Sequence, residues 1–194
     1  MTWRVPVGIW TGEPCLIIGG GPTVDREAIK RFKGRVIAVN NAYLLRPDAD
    51  LLYFADRRWY DWHRDSVSIF QGPYIVTRQE VKRPAHDIKV VERNLRIPLS
   101  RSGRTVAGLC GGANALNLAF LFGCNPIILH GFDMMPGNWH ADHKVPQKPD
   151  FARRFIPFIE RMAPELAKEG RTVINATPGS ALDCFPIVNI EEFS

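Results

Sequence analysis

No stretch of this sequence is apolar for long enough to span a bilayer, so no membrane-spanning helix is expected. Cysteine is sparse: four residues, Cys15, Cys110, Cys124 and Cys184, with no CxxC pair and no framework spacing. Reduced thiols in a cytoplasmic protein fit that usage better than a disulfide scaffold. The familiar nucleotide signatures are missing too. The glycines of GGGPT are not spaced as GxGxxG, because Val24 stands where the third would fall, and no Lys-Ser/Thr pair follows as in a P-loop. There is no HExxH, no dense aspartate cluster, no internal repeat and no low-complexity tract. The opening MTWRVPVGIW has one arginine and a short apolar stretch broken by Pro6 and Gly8, without a cleavage signature, so it reads as mature sequence.

What is present is ordinary globular material. The 194 residues are 45% hydrophobic and 23% charged, enough for one core, and they are expected to form a single domain over 1–194. The net charge of +5 favours anionic partners. Positive residues concentrate in 78–104, where Glu80, Asp87 and Glu92 interrupt them, so a solvated basic face competes with phosphate binding.

Apolar runs recur along the chain, each closed by a turn signal. They are CLII (15–18), RVIAV (35–39), LLYFAD (51–56), YIVT (74–77), IKVV (88–91), PIILHGFD (126–133) and TVINAT (172–177). Helical spacing fills 110–123, with a glycine at its end, and 151–170, which Pro157 and Pro164 should kink or split. Strands alternating with helices predict a single-domain α/β fold: Rossmann-like, a mostly parallel sheet with helices on both faces. Ligands of such sheets bind at the carboxyl ends of strands.

That rule selects the candidate site residues. Gly19, Gly20, Gly21, Pro22 and Thr23 lead from the first strand into a helix, where backbone N–H groups receive phosphate or ribose, or simply turn a corner. Asn40 and Asn41 end the second strand, and each amide both donates and accepts, as recognition of a base or sugar requires; an Asx turn or cap is the plainer role. Asp56 and Asp133 end two further strands. In 102–115, small residues open a helix, so Arg104, Thr105 and Gly108 are candidates for contact with a phosphate. The loop HGFDMMPGNWHADHK (130–144) brings His130, His140, His143 and Lys144 together. A histidine general base suits it better than a metal, since the imidazole titrates near working pH.

In order, IIGGGPTVD, VNNAYLL, LLYFADRRWYDW, CGGANALNLAFLFGCNPIILHGFDM and HADHK resemble bacterial sialyltransferases of the lipooligosaccharide type. They also resemble the related 6-hydroxymethylpterin diphosphokinase-like group, and within it small phage-encoded proteins of unassigned activity. The resemblance runs from Cys15 to about Pro186. It implies a nucleotide-sugar donor, CMP-linked, with no cofactor required. It gives nucleotide contact to Asn40, donor approach to residues 104–108, and acceptor deprotonation to His143, with His140 beside it. The chain departs from the sialyltransferases at Gly20, where they carry asparagine, and at Ala55 or Asp56, where they carry another. Its loop MMPGNWHADHK has no tyrosine to steady the leaving phosphate, which leaves Lys144 or an arginine for that task.

Two other classes follow from the same residues. A pyrophosphotransferase of the pterin type would hold Mg²⁺ on Asp56 and Asp133. A non-catalytic phage accessory protein would bind nucleic acid through RRWYDWHR (57–64), unless that segment is an amphipathic helix with its aromatics in the core. The expected partners are a nucleotide or nucleotide sugar, with a glycan or nucleic acid as acceptor; the sequence specifies no oligomeric state.

Overall fold

A computed structural model describes residues 2–81, 85, 87–141 and 150–193. Eight strands form one sheet: β1 (Cys15–Ile18), β2 (Arg35–Val39), β3 (Leu51–Phe54), β4 (Tyr74–Arg78), β5 (Lys89–Arg93), β6 (Thr105–Val106), β7 (Ile127–His130) and β8 (Val173–Asn175). Their order is β6-β5-β4-β3-β2-β1-β7-β8, and every pairing is parallel. Burial on both faces explains why β1 and β3, and β7 up to His130, are apolar runs rather than alternating ones. The chain steps outward from β1 to β6, then returns past β1 to make β7. That reversal puts a switch point between β1 and β7.

The return is made by α3 (Gly111–Phe122), whose residues from Ala113 to Phe122 are all buried. Burying large apolar side chains such as Leu116, Leu118, Leu121 and Phe122 is worth roughly 1.5–3 kcal/mol each, which outweighs about 1 kcal/mol of helix cost at each of Gly111 and Gly112. Two buried asparagines stitch the helix to the sheet edge. Asn117 Oδ1 accepts from the N–H groups of Ser100 (2.9 Å) and Ala107 (2.6 Å), and Asn114 Nδ2 donates to the Ala107 carbonyl (2.9 Å). The far end stops at Gly123, at φ +90. There the N-terminal segment takes over the terminal carbonyls: Gly8, Trp10 and Gly12 donate to Leu121, Phe122 and Gly123.

The other helix on this face, α4 (Ile156–Lys168), buries Phe158, Ile159, Met162 and Leu166 and carries Pro164 within it. A wide π-type turn, Phe151–Phe155, precedes it, with Pro157 in the first turn of α4. On the opposite face lie α1 (Arg26–Arg31) and α2 (Arg57–His63). Asp25 caps α1 by accepting from Glu27 and Ala28 at 2.9 Å. In α2 Trp59 is buried, and its ring and that of Tyr60 stack on Phe54 at 4.9 and 5.5 Å. Those two aromatics of the 57–64 segment are therefore committed to the core.

The expectation of a parallel α/β sheet covered on both faces holds, and one strand is added to it. β6 is two residues long, too short to leave a pattern in a sequence.

Candidate functional site

Where β1 ends, Gly19, Gly20 and Gly21 continue to pair with the loop beyond β7. The N–H groups of Gly19 and Gly21 donate to the carbonyls of His130 (2.7 Å) and Gly131 (2.9 Å). Glycine at 21 is a packing requirement, because a Cβ there would stand 1.7 Å from Asp133 Oδ2. Where β2 ends, Asn40 adopts a left-handed conformation at φ +52. Met134, beyond β7, does the same at φ +55, and these are the two non-glycine residues with positive φ among the described residues. Both line one cavity. Strained backbone of this kind gathers where a protein must present particular groups to a ligand.

The cavity holds about 620 Å³, inside the range of roughly 300–1,000 Å³ usual for small-molecule sites. One wall is the glycine turn with Val39 and Asn40, and another is the N-terminal turn of α3 at Cys110, Gly111 and Gly112. No side chain caps that helix end, so its first N–H groups and its dipole favour an anion. Burial pushes the Cys110 thiol above its ordinary range, against a smaller pull from the Ala113 and Gly112 amides. The third wall is apolar, with Phe132, Met134, Met135, Phe151 and Phe155. None of the lining side chains, among the described residues, carries a charge.

The sequence-selected residues divide into three groups. Gly19, Gly20, Gly21 and Asn40 line the cavity. Pro22 and Thr23 stand behind it; Thr23 N–H donates to Asp133 Oδ1 at 3.2 Å. Asp133 is 1% exposed, lies outside the lining, and its Oδ2 has no hydrogen-bond partner among the described residues. Asn41 is buried beside Asn40: its Oδ1 accepts from Trp59 Nε1 at 2.6 Å, and its Nδ2 lies 3.5 Å from His140 Nδ1. His140 is half-buried, with its ring edge-on to Trp139. The loop carrying it rests on the glycine turn through Trp139 N–H to the Gly20 carbonyl (3.3 Å) and Arg26 over the Trp139 ring.

The remaining candidates are elsewhere. Asp56 caps α2 through Arg58 N–H (2.9 Å) and is exposed. Arg104 is exposed, Thr105 Oγ1 contacts Ser100 Oγ at 2.7 Å, and Gly108 is buried beneath Asn114; none of the three lines the cavity. Cys110, Gly111 and Gly112 reach it instead. His143 and Lys144 lie outside the described residues. The basic segment is partly neutralised: Arg78 and Arg93 pair with its own Glu80, and Arg101 with Glu165 and Glu169 at the end of α4.

Neither Asp56 nor Asp133 lines the cavity, and no cluster of three or more His, Cys, Asp or Glu side chains that could hold a metal occurs among the described residues. Nor, among them, is any helix long and apolar enough to cross a membrane. Phe151 and Phe155 of the apolar wall escaped the sequence reading, their spacing being that of any amphipathic helix.

No family model matches this sequence, and no curated protein matches it. Among solved structures it is similar to the MAf glycosyltransferase from Magnetospirillum magneticum AMB-1, at TM-score 0.64 and 13% identity over 96% of this chain and 37% of that one. This chain thus spans little more than a third of that protein's length. It is also similar to the sialyltransferase CST-II, solved in complex with a trisaccharide acceptor and CMP, at TM-score 0.59 and 13% identity over 93% of this chain and 88% of that one. The sheet and its helices are thus a fold that this chain shares with glycosyltransferases.

Proposed function

We propose that this chain is a glycosyltransferase-like protein that takes a nucleotide sugar into the switch-point cavity. The observation that carries the reading is the meeting of a glycine turn, a left-handed Asn40 and an open helix N-terminus on one cavity of suitable size. The phosphate lies against the first turn of α3 and the glycine amides. The Asn40 amide reads the base or ribose, donating and accepting. Phe151 and Phe155 supply an apolar face for the rest of the ligand.

In the transfer step the acceptor oxygen bonds to the anomeric carbon as the sugar–phosphate bond breaks, and the phosphate keeps the electron pair. A histidine of the loop beyond β7, His143 or His140, takes the hydroxyl proton. The CMP and trisaccharide in the CST-II complex support CMP-linked donors and glycan acceptors as the first to try. Thermal unfolding with CMP, CDP, UDP and ATP, each with EDTA and with Mg²⁺, tests the reading. A ligand at a hundredfold excess over its Kd adds about 2.7 kcal/mol, and each kcal/mol raises Tm by roughly 2–4 °C for a chain of this size. Stabilisation by CMP that is indifferent to Mg²⁺ is expected. No shift with any nucleotide refutes the proposal, and a shift with ATP that requires Mg²⁺ replaces it with pyrophosphoryl transfer.

A further inference from the structure

His130 closes β7 and is 1% exposed, so its ring nitrogens are not serving solvent. Each has a backbone partner. Nδ1 lies 2.5 Å from the carbonyl oxygen of Ala176, which can only accept. Nε2 lies 2.8 Å from the N–H of Asp25, which can only donate. The two partners together fix one tautomer: hydrogen on Nδ1, a bare lone pair on Nε2. The same residue's carbonyl accepts from Gly19 N–H at 2.7 Å. His130 thus grips the 19–25 segment at both ends, through its main chain at Gly19 and its ring at Asp25. The second hold at the far end is the Thr23 N–H to Asp133 bond. Through Ala176 the ring also reaches the chain beyond β8, so three segments converge on one imidazole.

We propose that His130 is a positioning residue: its neutral ring holds the glycine turn in the shape that receives the ligand, and protonation at Nε2 releases that turn. This rests on the cavity being the nucleotide site. A proton on Nε2 would point at the Asp25 N–H, two donors facing each other, and the bond must break. Asp25 would then leave its place at the head of α1, taking with it the approach to residues 19–23. The titratable groups facing the ring are Asp25 from the turn and Asp133 from its own loop; the Ala176 side offers only a carbonyl. Both acids favour the charged ring, yet burial is the largest influence and holds the ring below the ordinary histidine range. The ring is therefore neutral at neutral pH and charges only in acid.

The test follows the uniformly ¹⁵N-labelled wild-type chain by NMR from about pH 8 down to about pH 4, below the ordinary histidine window because burial depresses this ring, and a ring that stays neutral throughout overturns the proposal. The imidazole ¹⁵N shifts are expected to report the Nδ1–H tautomer. The Asp25 amide, corrected for intrinsic exchange, should lose protection by about tenfold per pH unit below the ring's pKa, the slope of a one-proton opening. In His130→Gln, which keeps an acceptor for Asp25 but has no proton to gain, protection should stay flat. CMP affinity, measured by calorimetry over the same range, should fall more steeply in the wild type than in the variant, whose remaining slope reports protonation of the phosphate itself near about pH 6. An Nε2–H tautomer overturns the proposal, as does an Asp25 amide still protected when the ring is charged. A fall of CMP affinity no steeper in the wild type than in the variant while the amide opens also overturns it, because the turn would then not govern the site. If CMP fails to bind at every pH while the tautomer and amide behave as expected, the nucleotide reading falls and the ring's hold on the turn stands. The wild-type spectra decide the matter even if the variant does not fold.

Discussion

Replacing Gly21 by alanine is expected to be among the costliest single-methyl additions in this chain. The new Cβ would stand 1.7 Å from Asp133 Oδ2, 2.5 Å from its Cγ and 2.8 Å from the Gly131 carbonyl oxygen, whereas real Cβ atoms essentially never approach closer than 3.0 Å. Asp133 has little freedom to retreat. Its carbonyl accepts from Ala181 N–H at 3.0 Å, its Oδ1 from Thr23 N–H at 3.2 Å, and it is buried. Turning the carboxylate away gives up a charge-assisted hydrogen bond, about 1.5–3 kcal/mol, and overpacking adds about 1–3 kcal/mol. The total, roughly 2.5–6 kcal/mol, moves the urea midpoint by about 1.2–3 M at a slope near 2 kcal/mol/M. Urea unfolding followed by circular dichroism measures it. A double-mutant cycle with Asp133→Ala isolates the cause: without the carboxylate, Gly21→Ala should become cheaper by at least about 1.5 kcal/mol. A single-variant cost below about 1 kcal/mol, or an additive cycle, refutes the packing argument. Gly20→Ala is the control, because the nearest obstacle there is the end of the Asn138 side chain at 3.2 Å.

The adjacent asparagines should fail in opposite ways. Asn40→Ala keeps a β-carbon in left-handed backbone but loses the short polar side chain that makes this conformation tolerable, at about 1 kcal/mol, while Asn40→Gly relieves the backbone; both lose the amide, so CMP binding should weaken equally in the two, and a wild-type affinity in Asn40→Gly sinks the role given to that side chain. Asn41→Ala strands the buried Trp59 Nε1–H and should lower stability by about 1–3 kcal/mol in the same urea assay. Acid should destabilise the fold in two stages. The His130 ring has a depressed pKa, so as pH falls below the ordinary 6.5 the unfolded chain takes up a proton that the native one refuses, and stability declines. The Asp25 carboxyl, held low chiefly by the Ala28 N–H, contributes stability that is present above its ordinary 3.8 and lost as pH falls further. Urea midpoints in His130→Gln should lose the first stage and keep the second.

The central strands β1, β2, β3 and β7 were legible because each is a largely buried apolar run closed by Gly, Asn or Asp, and the rule for parallel sheets placed their ends together. Four of the residues so chosen, Gly19, Gly20, Gly21 and Asn40, line one cavity. Partners distant in sequence were not legible. Asp56 and Asp133 look alike as acids at strand ends, but one caps a helix on the surface and the other is locked behind a glycine 112 residues earlier in the chain, at position 21. The helix that opens on the cavity was read from its small residues, yet the part that arrives is Cys110, Gly111 and Gly112, while Thr105 belongs to an edge strand too short to announce itself. His130 shared a loop with His140 and His143 in the sequence; only the fold reveals that both its nitrogens are already engaged.

A chamber walled by fixed peptide dipoles and hydrocarbon, inside a molecule of net charge +5, separates attraction from retention. On the proposed function, surface cations would draw a nucleotide inward over a distance that dissolved salt shortens. Once inside, it would meet aligned amides that counterions do not displace. Added salt should therefore slow the arrival of a nucleotide far more than it hastens the departure, and arginines outside the chamber could be exchanged to tune capture without altering residence.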